Sequence, residues 1–278
     1  MKTRVLTAIG IAAVGIPLLI FSDSIVFSIA LGIFSLMASF ELLRALGVHK
    51  KYAVALPSYA VSLVLPVLSH RTVVGTEAQT GYVVVMALVF FALLLYFSGV
   101  LVFSAGRVSF RDIGAAFMGT LYIAASFTCL SMLRYSERGA YLFGLVFVAA
   151  WVTDTFAYFT GRLIGRHKLA PTVSPKKTVE GSLGGTLFAV LAFLLYAFIL
   201  ERSFALTISY AAFAASGLLL SVVAQIGDLF ASQIKRECGI KDYSNLLPGH
   251  GGILDRFDSI LAVSVMLFVI SKLSLLIA

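Results

Sequence analysis

Nine stretches of this 278-residue chain are apolar and nearly or fully long enough to cross hydrocarbon, and they leave little room for any soluble fold. They fall near residues 5–21, 25–40, 52–69, 82–103, 113–133, 141–160, 183–200, 204–226 and 260–277. A helix needs roughly 17–25 apolar residues to span a bilayer core; the window at 25–40 is the shortest. Hydrophobic residues make up 60% of the chain and charged ones only 12%, with a mean hydropathy of +1.02. Soluble domains are about half apolar and about a quarter charged. The expected fold is therefore all-α: a polytopic integral membrane protein of about nine transmembrane helices. Gly, Pro and Ser interrupt several windows, which membrane helices tolerate when neighbours satisfy the backbone.

Charge predicts the orientation. With the N-terminus inside and the C-terminus outside, 16 of the 21 Lys and Arg fall on cytoplasmic segments and four on external ones, with Lys272 near the far end of the last window. This satisfies the positive-inside rule, and dropping one span would spoil it. No small-residue cleavage site follows Phe21, so the first window reads as an uncleaved span. This topology separates Cys129 from Cys238, which argues against a disulfide. The net charge of +8 is mostly this inside bias, suited to an anionic leaflet, and implies no nucleic-acid partner.

Residues 1–140 read as scaffold helices, with lipid contact and a homodimer interface as further roles, and without repeats or linkers. Residues 141–278 read as the catalytic region, with cytoplasmic polar loops at 161–182 and 227–258. Asp154 lies about two turns before Arg162 at the inside end of its span. A carboxylate at that depth points to function; pairing with Tyr158 or an Arg is the structural alternative. Ser174-Pro175-Lys176-Lys177-Thr178 precedes a helix start, where free N–H groups, the dipole and two lysines suit a phosphate. A loop that merely obeys the positive-inside rule explains those lysines equally well.

The densest polar stretch is Gly227 to Asp258. It holds five of the thirteen acidic residues, Asp228, Glu237, Asp242, Asp255 and Asp258, among Lys235, Arg236, Lys241 and Arg256. Such charge between two spans is costly unless paired, hydrated or metal-bound. A helix continuing from Asp228 to Arg236 would align Asp228, Ser232 and Lys235 on one face. Pro248-Gly249-His250-Gly251-Gly252 predicts a tight loop whose N–H groups can approach an oxyanion. His250 suits a phosphate donor, a base or a loop anchor. Asp255 and Asp258 stack one turn apart at the start of the last helix. Carboxylates gathered this way repel unless a cation sits among them, and hard oxygen ligands suit Mg²⁺. With the lysines, arginines and glycine loop, these are the parts of phosphoryl or nucleotidyl transfer, where positioning and charge neutralisation supply most of the catalysis.

The run Ser232-x-Ile234-Lys235-Arg236, Lys241-Asp242-x-Ser244, Leu247-Pro248-x-His250-Gly251-Gly252-Ile253-x-Asp255-Arg256-Phe257-Asp258 resembles the long signature of the phosphatidate cytidylyltransferases, without departure. Gly227-Asp228, Asp154-Thr155-Phe156-Ala157-Tyr158 and Ser174-Pro175-Lys176-Lys177-Thr178-x-Glu180-Gly181 resemble that family in the same order. The motifs cover about the last 130 residues; the hydropathy covers the whole chain. The resemblance implies transfer of the cytidylyl group of CTP to phosphatidic acid with Mg²⁺, giving CDP-diacylglycerol and pyrophosphate, in a multi-pass protein of the cytoplasmic membrane. It implies Asp228, Asp255 and Asp258 as metal ligands, with Asp154 as a further ligand or supporting partner and room for a second metal ion. Lys176, Lys177, Lys235, Arg236, Lys241, His250 and Arg256 would share the phosphates, with Ser174, Ser232, Gly251 and Gly252 beside them. The alternative is a related CTP-dependent lipid phosphotransferase or CDP-lipid synthase, which the length of the motif disfavours. A transporter would need several midspan ionisable groups and repeat symmetry, whereas this chain has one such acid and no repeat.

Overall fold

The computed structural model describes residues 7, 10, 13, 15–72, 76–204, 206–273 and 276. Most of the window at 5–21 and the end of the chain lie outside these residues, as does part of the expected external loop at 70–81. The chain forms two compact units. One comprises Met1–Glu137 with Cys238–Phe257, the other Arg138–Glu237 with Asp258–Ala278. The segment 238–257 thus belongs with the N-terminal helices.

The first unit is built on α1 (Ile25–Ala45), α2 (Tyr52–Leu68), α3 (Thr76–Phe103) and α4 (Phe110–Tyr135). The helices α1, α2 and α4 pack on one another around Leu42, Leu43, Leu65, Phe127, Leu130 and Leu133. Buried hydroxyls tie them: Ser39 to Ser62 at 2.6 Å, Ser28 to Ser131 at 3.2 Å, and Ser69 onto Ser131 at 2.7 Å. Small residues and hydroxyl pairs are the usual glue where lipid removes the hydrophobic drive for association. At the start of α4, Ser109 and Asp112 form a reciprocal capping box, and Asp112 pairs with Lys51. His70 rests edge-on against Tyr135 at 4.8 Å. Neither Cys129 nor Cys238 forms a disulfide.

In the second unit, α5 (Gly139–Phe147), a π-helical turn (Val148–Val152) and α6 (Thr153–Ile164) follow without a gap. A short antiparallel hairpin, β1 (Lys168–Ala170) and β2 (Ser174–Thr178), leads directly into α7 (Val179–Phe204) and then α8 (Tyr210–Glu237). The last helix, α9 (Leu254–Lys272), begins in the first unit and continues in the second. The α6–α7 crossing is backbone against backbone. A Cβ on Gly181 would sit 2.6 Å from the Ala157 carbonyl oxygen, and one on Gly185 2.6 Å from that of Thr153. Phe156 stacks on Phe188 at 4.0 Å beside this seam, while Ser221 and Gln225 of α8 each donate to Thr186 of α7 at 3.1 Å.

Among the described residues, six helices are long and apolar enough to cross a membrane: Ile25–Ala45, Thr80–Phe103, Phe110–Tyr135, Gly139–Ile164, Val179–Phe204 and Tyr210–Glu237. Tyr52–Leu68 is a shorter apolar helix, and α9 carries Asp255, Arg256 and Asp258 in its first turns. Several helices outrun their apolar windows. The short window at 25–40 is a 21-residue helix ending in Glu41 and Arg44, and α8 passes Gly227 unbroken to Glu237. Hydropathy marks where hydrocarbon stops; backbone hydrogen bonding carries the helix further. The expected loop at 161–182 holds the hairpin, so the helical class has one small exception.

Candidate active site

The second unit presents a cavity of about 430 Å³ that carries charged side chains, lined in part by Asp154, Tyr158, Lys168, Lys176, Lys177 and Asp228. Lys176 and Lys177 reach it from β2, Asp154 from the first turn of α6, and Asp228 from α8. The Lys177 ammonium meets Asp228 Oδ2 at 2.5 Å, and the Ser232 hydroxyl, one turn on, donates to Asp228 Oδ1 at 3.2 Å. Asp154 takes a hydrogen bond from Ser259 and feels the charges of Asp228 and Lys177. The Tyr158 hydroxyl accepts from Arg162 Nη1 at 3.1 Å. Asp258 Oδ1 accepts the Ser259 N–H at 2.8 Å, and the carboxylate feels Asp228, Asp154 and the buried Lys235.

Secondary structure explains this convergence. The π turn ends where α6 begins, so the helix face is re-aimed one residue before Asp154. Glu180 in the first turn of α7 braces the approach to the hairpin. It accepts the N–H groups of Arg166 (3.0 Å) and His167 (3.2 Å) and meets the His167 ring Nδ1 at 2.6 Å. Two of the N–H groups at the head of α7, expected to await a phosphate, have internal acceptors. Val179 donates to the His167 carbonyl at 2.9 Å and Gly181 to Thr178 Oγ1 at 3.1 Å. Arg236 Nε donates to the Val173 carbonyl at 3.2 Å, tying the end of α8 to the hairpin turn. Ser174 is half-buried on the same strand.

In the first unit, residues 243–254 form the glycine loop. Gly249 and Gly251 have φ of +78° and +83°, a conformation side chains resist, and an isolated bridge joins Leu247 to Gly251. Asp255 Oδ2 accepts the N–H groups of Tyr243 at 2.8 Å and Gly252 at 2.9 Å. Two of the expected anion-facing donors, those of Gly252 and His250, are thereby engaged within the loop, the latter on the Leu247 carbonyl at 2.8 Å. His250 Nδ1, by contrast, is buried with no hydrogen-bond partner among the described residues. Lys241 and Arg256 are exposed. Sequence reasoning missed Glu41 and Ser259. Glu41 is buried at the end of α1, where it accepts Ser244 Oγ at 2.5 Å and the Ile253 and Leu254 N–H groups at 3.1 and 2.9 Å. The available signal was a lone acid flanking an apolar window; Ser259 had none beyond its place next to Asp258.

Among the described residues, no three His, Cys, Asp or Glu side chains gather tightly enough to hold a metal by themselves. Mg²⁺ does not require that, because it is commonly held by one or two carboxylates with water and substrate phosphate oxygens completing the shell. Asp154, Asp228 and Asp258 are hard oxygen donors whose mutual repulsion a bound cation would relieve, and Lys177 already pairs with one of them. This donor set fits Mg²⁺.

The comparisons with known proteins agree with the chemistry. A family model described as the cytidylyltransferase family matches residues 2–274. A phosphatidate cytidylyltransferase of Staphylococcus haemolyticus (strain JCSC1435) is 33% identical over 269 residues, covering 96% of this chain and 97% of that protein. One from Staphylococcus aureus (strain COL) is 35% identical with the same coverage, and one from Staphylococcus saprophyticus is 34% identical over 268 residues. The chain belongs to the cytidylyltransferase family.

Proposed function

We propose that this protein transfers the cytidylyl group of CTP to phosphatidic acid, producing CDP-diacylglycerol and pyrophosphate for phospholipid synthesis. The observation that carries this reading is the second unit's cavity, in which Lys168, Lys176 and Lys177 face Asp154 and Asp228. Cations opposite carboxylates suit a polyphosphate. A phosphatidate oxygen attacks the α-phosphorus, and the bond from that phosphorus to the bridging oxygen of the β-phosphate breaks. The attacking phosphate is already an anion, so the site needs positive charge and alignment more than a strong base. Lys176, Lys177 and Lys168 supply charge from the cavity wall, and Lys235 and Arg236 are assigned the same role on α8. His250, whose Nδ1 lacks an internal partner, is assigned to a phosphate with Lys241 and Arg256.

Asp154, Asp228 and Asp258 are the residues proposed to hold Mg²⁺. Asp255, whose Oδ2 accepts two loop N–H groups, is proposed as a further carboxylate ligand. When bound, the ion neutralises charge on the phosphate oxygens. The proposed setting is the cytoplasmic membrane, with nine spans, the N-terminus inside and the C-terminus outside, supported by the distribution of Lys and Arg. The exposed apolar faces of α3 and α7 suit acyl chains or the second copy of a homodimer. The reading is tested on detergent-purified protein given CTP and phosphatidate with and without Mg²⁺. CDP-lipid forming only with the metal is expected; no CDP-lipid under any divalent cation would contradict it.

A further inference from the structure

We infer that Glu41 is a positioning residue for the reaction: held as a carboxylate, it sets the shape of the 243–254 loop. This rests on the proposed role of that loop in the transfer. Glu41 is 3% exposed, and a buried carboxylate is costly unless its oxygens are filled. Three donors fill them, all from one loop: Ser244 Oγ and the Ile253 N–H on Oε1, the Leu254 N–H on Oε2. Ile253 and Leu254 lie at the head of α9, where N–H groups have no partner within the helix and the dipole favours negative charge. The cap therefore comes from another helix, more than 200 residues away in sequence.

Two further contacts make this a clamp. A Cβ on Gly252 would lie 2.5 Å from both Glu41 oxygens, so a side chain there would have to displace the carboxylate from the loop. Arg44, three residues along α1, donates to the Tyr243 carbonyl at 2.8 Å and lies over the Phe40 ring. One helix thus grips both ends of the loop, while Asp255 holds the Tyr243 and Gly252 N–H groups. Between these fixed points stands His250.

The test compares Glu41→Gln with the wild type as full-length protein in detergent. Glutamine keeps the length but turns an amide donor toward a backbone donor. A displaced loop should lower kcat by about tenfold or more, since misplacement by about 1 Å can cost 100-fold. KM for CTP should stay within about threefold, because the lost interaction is one of alignment. Tryptic cleavage after Lys241 should become several-fold faster as the loop opens locally, with the thermal midpoint nearly unchanged. If Glu41→Gln fails to fold, Ser244→Ala is read instead; it removes one donor and should show the same two changes in weaker form. Unchanged kcat, or lost activity with wild-type cleavage at Lys241, overturns the inference. A wild type that makes no CDP-lipid removes the functional reading, while the cleavage assay still tests the clamp.

Discussion

At the residue scale, the acids of the Gly227 to Asp258 stretch are not equivalent. Asp228 and Asp258 sit among charges, whereas Asp255 is bonded into the loop backbone. Asp258→Asn and Asp255→Asn should each lower CDP-lipid turnover on the order of 100-fold, the usual loss with a major electrostatic stabiliser. Asp228→Asn should fall between these and the wild type. Raised Mg²⁺ should partly rescue the weaker defect; near-normal turnover of the Asp258 and Asp255 variants at low Mg²⁺ would contradict the metal assignment. Asp112 is a poor neutral control, because it caps α4 and pairs with Lys51; the exposed Glu137 is a better one. The Lys176→Ala and Lys177→Ala variants should fold and raise KM for CTP or phosphatidate, Lys177→Ala the more because it also leaves Asp228 without its ammonium. Unchanged kinetics in both would return these lysines to the positive-inside reading.

At the element scale, the helices were legible and several of their ends were not. Hydropathy does not carry α8 past its window at 226, because charged and polar residues are interspersed among the apolar ones to Glu237; the helix continues on backbone bonds, and Arg236 ties its end to the hairpin turn. The hairpin itself is hidden in a run of lysines and small residues with no alternating pattern. The Glu41 clamp was equally illegible, since it joins residues with no local relation in sequence. The glycine seam is the most exacting of these elements. Gly185→Val should force α6 and α7 apart at the Thr153 carbonyl and leave little folded protein, read by size exclusion and thermal midpoint. A variant as stable as the wild type would mean that the crossing tolerates a larger separation. Ser109→Ala, by contrast, should cost only about 1 kcal/mol, the usual loss of an N-cap.

For the whole molecule, the apolar windows and the asymmetry of Lys and Arg predict the topology, and single-cysteine labelling checks it. Positions 162–180 and 236–252 should be reached from the inside, positions 70–80 and the C-terminus from the outside. Finding 162–180 and 236–252 on opposite faces would contradict a single cytoplasmic chemistry. The chemistry itself was readable because charged residues are so few that each dense run had to be explained, while the pairing of Lys177 with Asp228 required the fold. The central claim is the fate of the CTP phosphates, and isotope position tests it most directly. With phosphatidate and Mg²⁺, label in the α-phosphate of CTP should move into the chloroform-soluble lipid, and label in the γ-phosphate into pyrophosphate. Label from the γ-phosphate appearing in lipid, with the α-label left in CDP, would make the protein a lipid kinase and contradict the account.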